Sequence, residues 1–133
     1  MVRFEKLNPE VQYPYSDAVA AADYINGVFG AVASGTFTIG ASATSCIMQV
    51  ERGDDAYSDN FKVKAGEHVR VADLTKAVGE ILNITADLLP STYAVENKLK
   101  SDATGKLVVD NTNGKIEIIE VTDYGVRAVV LGN

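Results

Sequence analysis

Nucleophilic catalysis of the Ser-His-Asp or Cys-His type would have to use His68, the single histidine, and a cysteine nucleophile would have to be Cys46, the single cysteine. Cys46 opens the apolar run 46–48, which predicts a buried structural thiol and not a nucleophile. His68 falls on the polar side of an alternating segment, which predicts a surface histidine. We therefore expect a protein that is not an enzyme.

The sequence also lacks the sets of residues that bind metals or cofactors. One histidine and one cysteine are too few ligands for a zinc site. Carboxylates in segment 51–60 could bind calcium, but their spacing does not match an EF-hand, so a solvated loop is expected. Gly30, Gly35 and Gly40 are evenly spaced, yet no P-loop lysine follows them, and we interpret them as turns or bulges. No cofactor and no metal are predicted.

Length and charge narrow the class of protein. A chain of 133 residues is long enough for one domain with an ordinary core. A net charge of −6 argues against nucleic-acid binding, which needs a basic surface. No apolar run approaches the ~18 residues of a membrane span, so no membrane partner is expected. The first ten residues lack the apolar core of a signal peptide, which favours synthesis in a reducing cytoplasm.

The elements that must position these residues are mainly strands. In segment 95–131, four apolar runs rich in β-branched residues alternate with turns, which is typical of an antiparallel meander. Gly105 and Gly114 are predicted to supply the positive φ of tight turns. Period-two alternation flanks an Ala-Gly-Glu turn at 65–67 and predicts a strand on each side. Strands are expected near 36–39, 45–51, 61–64, 68–72, 80–85, 106–109, 115–121 and 126–131.

One short helix is also allowed. Ser16 or Asp17 could cap a helix within 17–25, and the Asn-Gly pair that follows would end it. The predicted fold class is all-β or β-dominated: a small antiparallel β-barrel or sandwich over residues 17–133, with at most this helix. In the 115–121 strand, Ile116 and Ile118 are expected in the core. Ile119 and Val121 would then cover a second surface, either a helix or a neighbouring subunit.

Residues 1–16 differ from the rest because they combine prolines with large apolar side chains. Proline disfavours a regular central strand or helix. We interpret the segment as an extended N-terminal arm that binds a partner; packing on its own domain is the alternative. The candidate partner-binding residues are Phe4, Leu7, Val11, Tyr13 and Tyr15.

Three stretches resemble small head proteins of tailed bacteriophages, the capsid decoration (head auxiliary) proteins that sit on an HK97-like shell. They are KVKAGEHVRVADL (62–74), ENKLKSDATGKLVVD (96–110) and IEIIEVTDYGVRAVVL (116–131), which together fall within residues 60–131. The resemblance implies a virion structural protein that is made in the host bacterial cytoplasm and cements the outer capsid surface. Its expected partners are the major capsid protein and further copies of itself, as a trimer or dimer.

A second interpretation belongs to another class. The chain could be a ligand- or carbohydrate-binding β-module of a tail fibre or a cell-surface protein. Such a module needs a cluster of aromatic side chains, whereas the six tyrosines are scattered along the sequence. A third interpretation, a small enzyme, lacks catalytic groups.

Overall fold

The computed structural model describes residues 1–6, 13–48 and 62–132, and nearly all regular structure in them is extended. The strands are β1 (Val2–Phe4), β2 (Tyr15–Ala20), β3 (Tyr24–Ile25), β4 (Phe29–Ala33), β5 (Thr36–Ile39), β6 (Ser45–Ile47), β7 (Lys62–Val63), β8 (His68–Asp73), β9 (Ile81–Thr85), β10 (Lys98–Ser101), β11 (Leu107–Val109), β12 (Ile116–Val121) and β13 (Gly125–Val130). Two short 3-10 helices span Leu74–Lys76 and Ala86–Leu88. The predicted β-dominated fold class is confirmed.

Six strands form one antiparallel sheet in the order β1-β9-β13-β12-β10-β11. Consecutive strands β12 and β13 pair at its centre, but β12 pairs on its other side with β10 and not with β11. Segment 95–131 is therefore antiparallel as predicted, but its four strands do not follow the order of a simple meander. The first strand of the chain joins the far edge, where Val2 lies opposite Ile84. The sheet therefore combines residues from both ends of the chain.

Five strands close into a barrel in the order β2-β5-β4-β6-β8. Strands β2 and β8 are antiparallel over five residue pairs, from Tyr15 opposite Ala72 to Val19 opposite His68. Strands β2 and β5 close the barrel as a parallel pair, with Val19 opposite Thr36. The predicted antiparallel barrel or sandwich is thus a closed barrel whose strand pairs are antiparallel except for this one.

The barrel and the sheet share a single hydrophobic core. The barrel contributes large buried rings from Phe29 and Phe37. The sheet contributes aliphatic side chains from one face, such as Leu82 on β9 and Ile118 on β12. Because side chains from both layers belong to one buried cluster, we expect the described part of the chain to unfold as one unit.

The short helix allowed within residues 17–25 does not form. Tyr15–Ala20 is a strand, with Ala18 and Ala20 buried and Asp17 exposed between extended neighbours. Helix propensity is a weak prior that tertiary context overrides, and here the β8 backbone supplies the hydrogen-bond partners. Alanine-rich sequence fits this strand because small side chains suit a narrow barrel interior.

The predicted strand 115–121 is confirmed in both position and orientation. Ile116 and Ile118 are buried in the core, with exposed fractions of 4% and 1%. The register against β13 shifts between Ile118 and Glu120, so Ile119 occupies a β-bulge. Ile119 and Val121 are exposed in the single chain, and their burial against a neighbouring subunit stays a prediction.

The two predicted turn glycines serve different purposes. Gly105 has φ of +81°, as expected for a tight turn. Gly114 has no positive φ; a Cβ there would lie 2.7 Å from both Asp110 O and Leu99 N. Glycine at 114 is required by close backbone approach and not by turn conformation. The 65–67 turn also separates strands that do not pair, since β7 pairs with β3.

Candidate interaction surfaces

The N-terminal segment begins inside the fold. Val2 is fully buried, and β1 extends the sheet along β9. Tyr15 begins a strand of the barrel. The predicted boundary between an arm (1–16) and a domain (17–133) is therefore wrong at both ends of the arm. Without β1, the edge of β9 would present unpaired backbone N–H and C=O groups. β1 forms hydrogen bonds with these groups and at the same time buries the side chain of Val2.

Three of the five candidate arm residues lie together. The rings of Phe4 and Tyr15 meet edge to face with centroids 6.1 Å apart, and those of Tyr13 and Tyr15 do so at 5.4 Å. Phe4 and Tyr15 are half-buried against the core, whereas Tyr13 is 71% exposed. Leu7 and Val11 lie outside the described residues. We call Phe4, Tyr13 and Tyr15 the N-terminal aromatic cluster.

Arg70 fixes the base of the N-terminal aromatic cluster. Its guanidinium carbon lies 4.1 Å from the centroid of the Tyr15 ring, a cation–π distance, and its Nε donates to Met48 O at 3.0 Å. Burial raises the pKa of Tyr15 above its ordinary value. Because Tyr15 is held from below, Tyr13 rests on a fixed platform.

A second set of contacts ties the end of β1 to the sheet. Arg127 on β13 donates from Nε and Nη2 to both carboxylate oxygens of Glu5, at 3.0 and 2.8 Å. Its Nη1 donates to Glu120 at 2.6 Å. These charge-assisted bonds lower the pKa of Glu5 below its ordinary value. The segment that leaves β1 therefore starts from a fixed point on the sheet.

A cleft of about 260 Å³ opens where the barrel meets the sheet. Its floor and walls are mainly apolar and come from distant segments: Phe29 and Leu74 from the barrel side, Leu107, Ile116 and Leu131 from the sheet side. Val78, which is 52% exposed, stands at the rim. Mainly apolar walls with a few polar groups are typical of small-molecule sites.

The charged residues that line this cleft are both lysines. Lys100 binds Asp110, with Nζ 2.9 Å from Oδ2. Lys115 is exposed and has no ion pair within the described residues. No aspartate or glutamate lines the cleft, although acidic residues outnumber basic ones by 18 to 12 in the chain. The cleft is therefore a cationic spot on an acidic protein.

Buried hydrogen bonds hold the two walls of the cleft in place. Ser101 is fully buried; its hydroxyl donates to Gly40 O at 2.8 Å and accepts from Ala43 N at 2.9 Å. Ser42 N donates to Ser101 O at 2.8 Å. These bonds join a barrel loop to β10, so the cleft is preformed and does not depend on side-chain rearrangement.

Cys46 and His68, the single cysteine and the single histidine, do not lie next to each other. Cys46 is fully buried, and burial raises the pKa of its thiol to about 12, which confirms the predicted structural thiol. His68 lies on the surface, as predicted, with Nδ1 2.7 Å from Asp17 Oδ2. Cys46 lies opposite Ala72, at the other end of β8 from His68.

Two further observations apply to the described ranges. In residues 1–6, 13–48 and 62–132, no group of three or more His, Cys, Asp and Glu side chains is placed to hold a metal ion. Within the same ranges, no helix is long and apolar enough to cross a membrane.

Sequence reasoning missed the cleft and the role of Arg70. Lys100 lies on β10 and Lys115 in the turn before β12, and nothing in their local sequence sets them apart from other surface lysines. Arg70 is half-buried on β8, and its position over Tyr15 requires the β2–β8 register. Only long-range strand pairing could have revealed either feature.

Comparison with protein-family models, with curated proteins and with solved structures finds no match to this chain.

Proposed function

We propose that this protein is a bacteriophage virion structural protein, a decoration protein that binds the outer surface of an HK97-like head as a homo-oligomer. The proposal rests on the resemblance of residues 60–131 to head auxiliary proteins. A β-dominated fold with a closed barrel is compatible with it. The major capsid protein would be its main partner.

The observation that carries the proposal is the exposure of Tyr13 on a rigid base. Tyrosine is enriched at the centres of protein interfaces because it offers a large contact area with few rotatable bonds. Tyr13 is 71% exposed, yet its ring packs on Tyr15, which Arg70 holds in place. An aromatic side chain that is ordered before binding costs little entropy on docking. We assign the capsid contact to the N-terminal aromatic cluster.

The test is co-sedimentation of the purified protein with assembled HK97-like capsids that lack decoration protein. We expect saturable binding by the unmodified chain and a loss of about tenfold or more in affinity for Tyr13→Ala. Val32→Ala is the matched control. Val32 is 40% exposed and lies beside the β4–β5 turn, near Thr36, which pairs with the opposite end of β2 from Tyr15.

Absence of capsid binding by the unmodified chain would contradict the proposed function. Equal loss for Tyr13→Ala and Val32→Ala would contradict the assignment of the surface. Light scattering of the free protein measures the expected dimer or trimer independently of capsids.

One observation favours a second candidate, the carbohydrate-binding module. Three aromatic side chains of the N-terminal segment meet in the N-terminal aromatic cluster, and sugars stack on exposed aromatic rings. A glycan array with Tyr13→Ala as the control would test it. A signal that disappears in the variant, together with no capsid binding, would favour this candidate over decoration.

A further inference from the structure

We propose that the cleft between barrel and sheet binds a small amphiphilic anion, an unbranched alkyl chain that ends in one carboxylate. This inference is independent of the proposed capsid role. The cleft is concave and lined by lysines, whereas the N-terminal aromatic cluster presents an exposed tyrosine ring.

The shape and lining of the cleft select the apolar part of the ligand. The volume of about 260 Å³ suits a short alkyl chain and not a folded partner. The deeper lining residues, such as Phe29, Leu107 and Ile116, are buried aromatic or aliphatic side chains. They offer apolar contact and no charge, so a chain of methylene groups gains by leaving water.

The charge of the rim selects the polar end of the ligand. Lys115 is exposed at the cleft and has no carboxylate within ion-pair distance among the described residues. Lys100 is already bound to Asp110, so Lys115 is the cation available to a ligand. The hydroxyl-bearing residues Ser42 and Thr44 also line the cleft and can donate to a carboxylate, whereas the Thr75 hydroxyl already donates to Asp73 Oδ1 at 2.6 Å. A cationic ligand would meet repulsion from Lys115.

The walls are preformed, which favours binding of a small ligand. Ser101 and Gly40 link the walls by a buried hydrogen bond of 2.8 Å, and Asp73 caps the 3-10 helix at Thr75 N. A preformed cleft avoids the entropy of ordering the site, which is the main obstacle for a ligand with few atoms.

The experiment is a calorimetric titration of the full chain with octanoate, with octylammonium and octanol as probes that share the alkyl chain. We expect one saturable site for octanoate, with a dissociation constant of about micromolar to millimolar, and weaker binding of both other probes. Lys115→Gln should weaken octanoate binding by about three- to tenfold and leave octanol binding unchanged. Higher salt should weaken octanoate binding as well.

Two further variants complete the test. Lys64→Gln removes an exposed lysine from a different turn and should leave octanoate binding unchanged. Val78→Trp places a bulky ring at the rim, on a side chain that is already half exposed, and should block octanoate and octanol alike. The proposal is overturned if octanoate does not saturate, if octylammonium binds as tightly, or if neither Lys115→Gln nor Val78→Trp weakens octanoate binding.

Discussion

The barrel and the six-stranded sheet share one core, but different sequence features produce the strands of each. The sheet uses alternation: buried apolar side chains recur at every second position, at 116 and 118 on β12 and at 126, 128 and 130 on β13. The barrel uses close approach: its strands carry Ala and Gly, and a Cβ added at Gly30 would lie 2.1 Å from Thr38 O. Alternation is visible in a sequence, whereas close approach is visible only once the strands are paired.

Because of this difference, the sheet and the barrel should tolerate different amino-acid substitutions. A sheet built on alternation should be most sensitive to the loss of a large inward side chain. A barrel built on close approach should be sensitive to that loss and also to the addition of a methyl group. The following substitutions separate these effects, from the largest expected to the smallest.

Phe37→Ala in the barrel should lower the free energy of unfolding by about 3–5 kcal/mol, because it empties the centre of the core. Phe37 is fully buried, and its ring meets Tyr24 edge to face at 5.7 Å. Val32→Ala, on the residue opposite Phe37, should cost less than about 1 kcal/mol. Urea unfolding followed by circular dichroism and by tyrosine fluorescence measures both.

The urea transitions recorded by circular dichroism and by tyrosine fluorescence should also coincide. Because barrel and sheet bury one common cluster, we expect a single cooperative transition for the unmodified chain and for Phe37→Ala. Two separate transitions would show that the shared core does not couple the regions.

Ile118→Ala in the sheet should cost about 2–5 kcal/mol, since the side chain is 1% exposed and lies in the central strand β12. Its neighbour Ile119 occupies the bulge and is 37% exposed, so Ile119→Ala should change stability by less than about 0.5 kcal/mol in the monomer. A cost below about 1 kcal/mol for Ile118→Ala would contradict the inward orientation.

Gly30→Ala should cost about 1–3 kcal/mol, because the new methyl group meets a backbone oxygen that cannot rotate away. Gly40→Ala is the matched control, since no atom lies within 4 Å of a Cβ at that position. Thermal unfolding of both variants measures the difference. Equal stability of the two would mean that β4 and β5 are not as closely packed as the register indicates.

The same contrast explains what could be predicted from the sequence. The strands at Ile116–Val121, Gly125–Val130 and Thr36–Ile39 were predicted because β-branched and aromatic residues alternate there or fill a bounded run. Positions of Ile116 and Ile118 in the core followed from period two alone. Local pattern suffices wherever one face of a strand is buried along its whole length.

Other features could not be predicted because they depend on contacts between distant segments. Tyr15–Ala20 has an alanine run that favours a helix locally, and only pairing with β8 makes it a strand. Val2 enters the core because β9, some 80 residues later, leaves an open edge. Thr44, Val78 and Lys115 all line the cleft, and no local sequence pattern predicts that they lie close together.

The smallest predicted effect is a loss of stability at low pH, caused by protonation of a carboxylate in the sheet. Asp110 lies in the turn between β11 and β12; it accepts hydrogen bonds from Thr112 N and Asn113 N and binds Lys100. The Lys100 ammonium, together with those two amides, lowers the pKa of Asp110 from 3.8 to about 2.

Because the folded state lowers the pKa of Asp110, its stabilising effect is fully present above the unfolded pKa near 4. That effect is lost as the pH falls through the folded pKa of about 2. Urea midpoints at about pH 5 and about pH 2.5 should therefore differ less for Asp110→Asn than for the unmodified chain. Asp123→Asn, in another turn of the sheet, is the control and should keep the original pH dependence. If Asp110→Asn also keeps it, then the acid sensitivity of the chain arises from other carboxylates, such as Glu5 and Asp102, whose pKa values are also lowered.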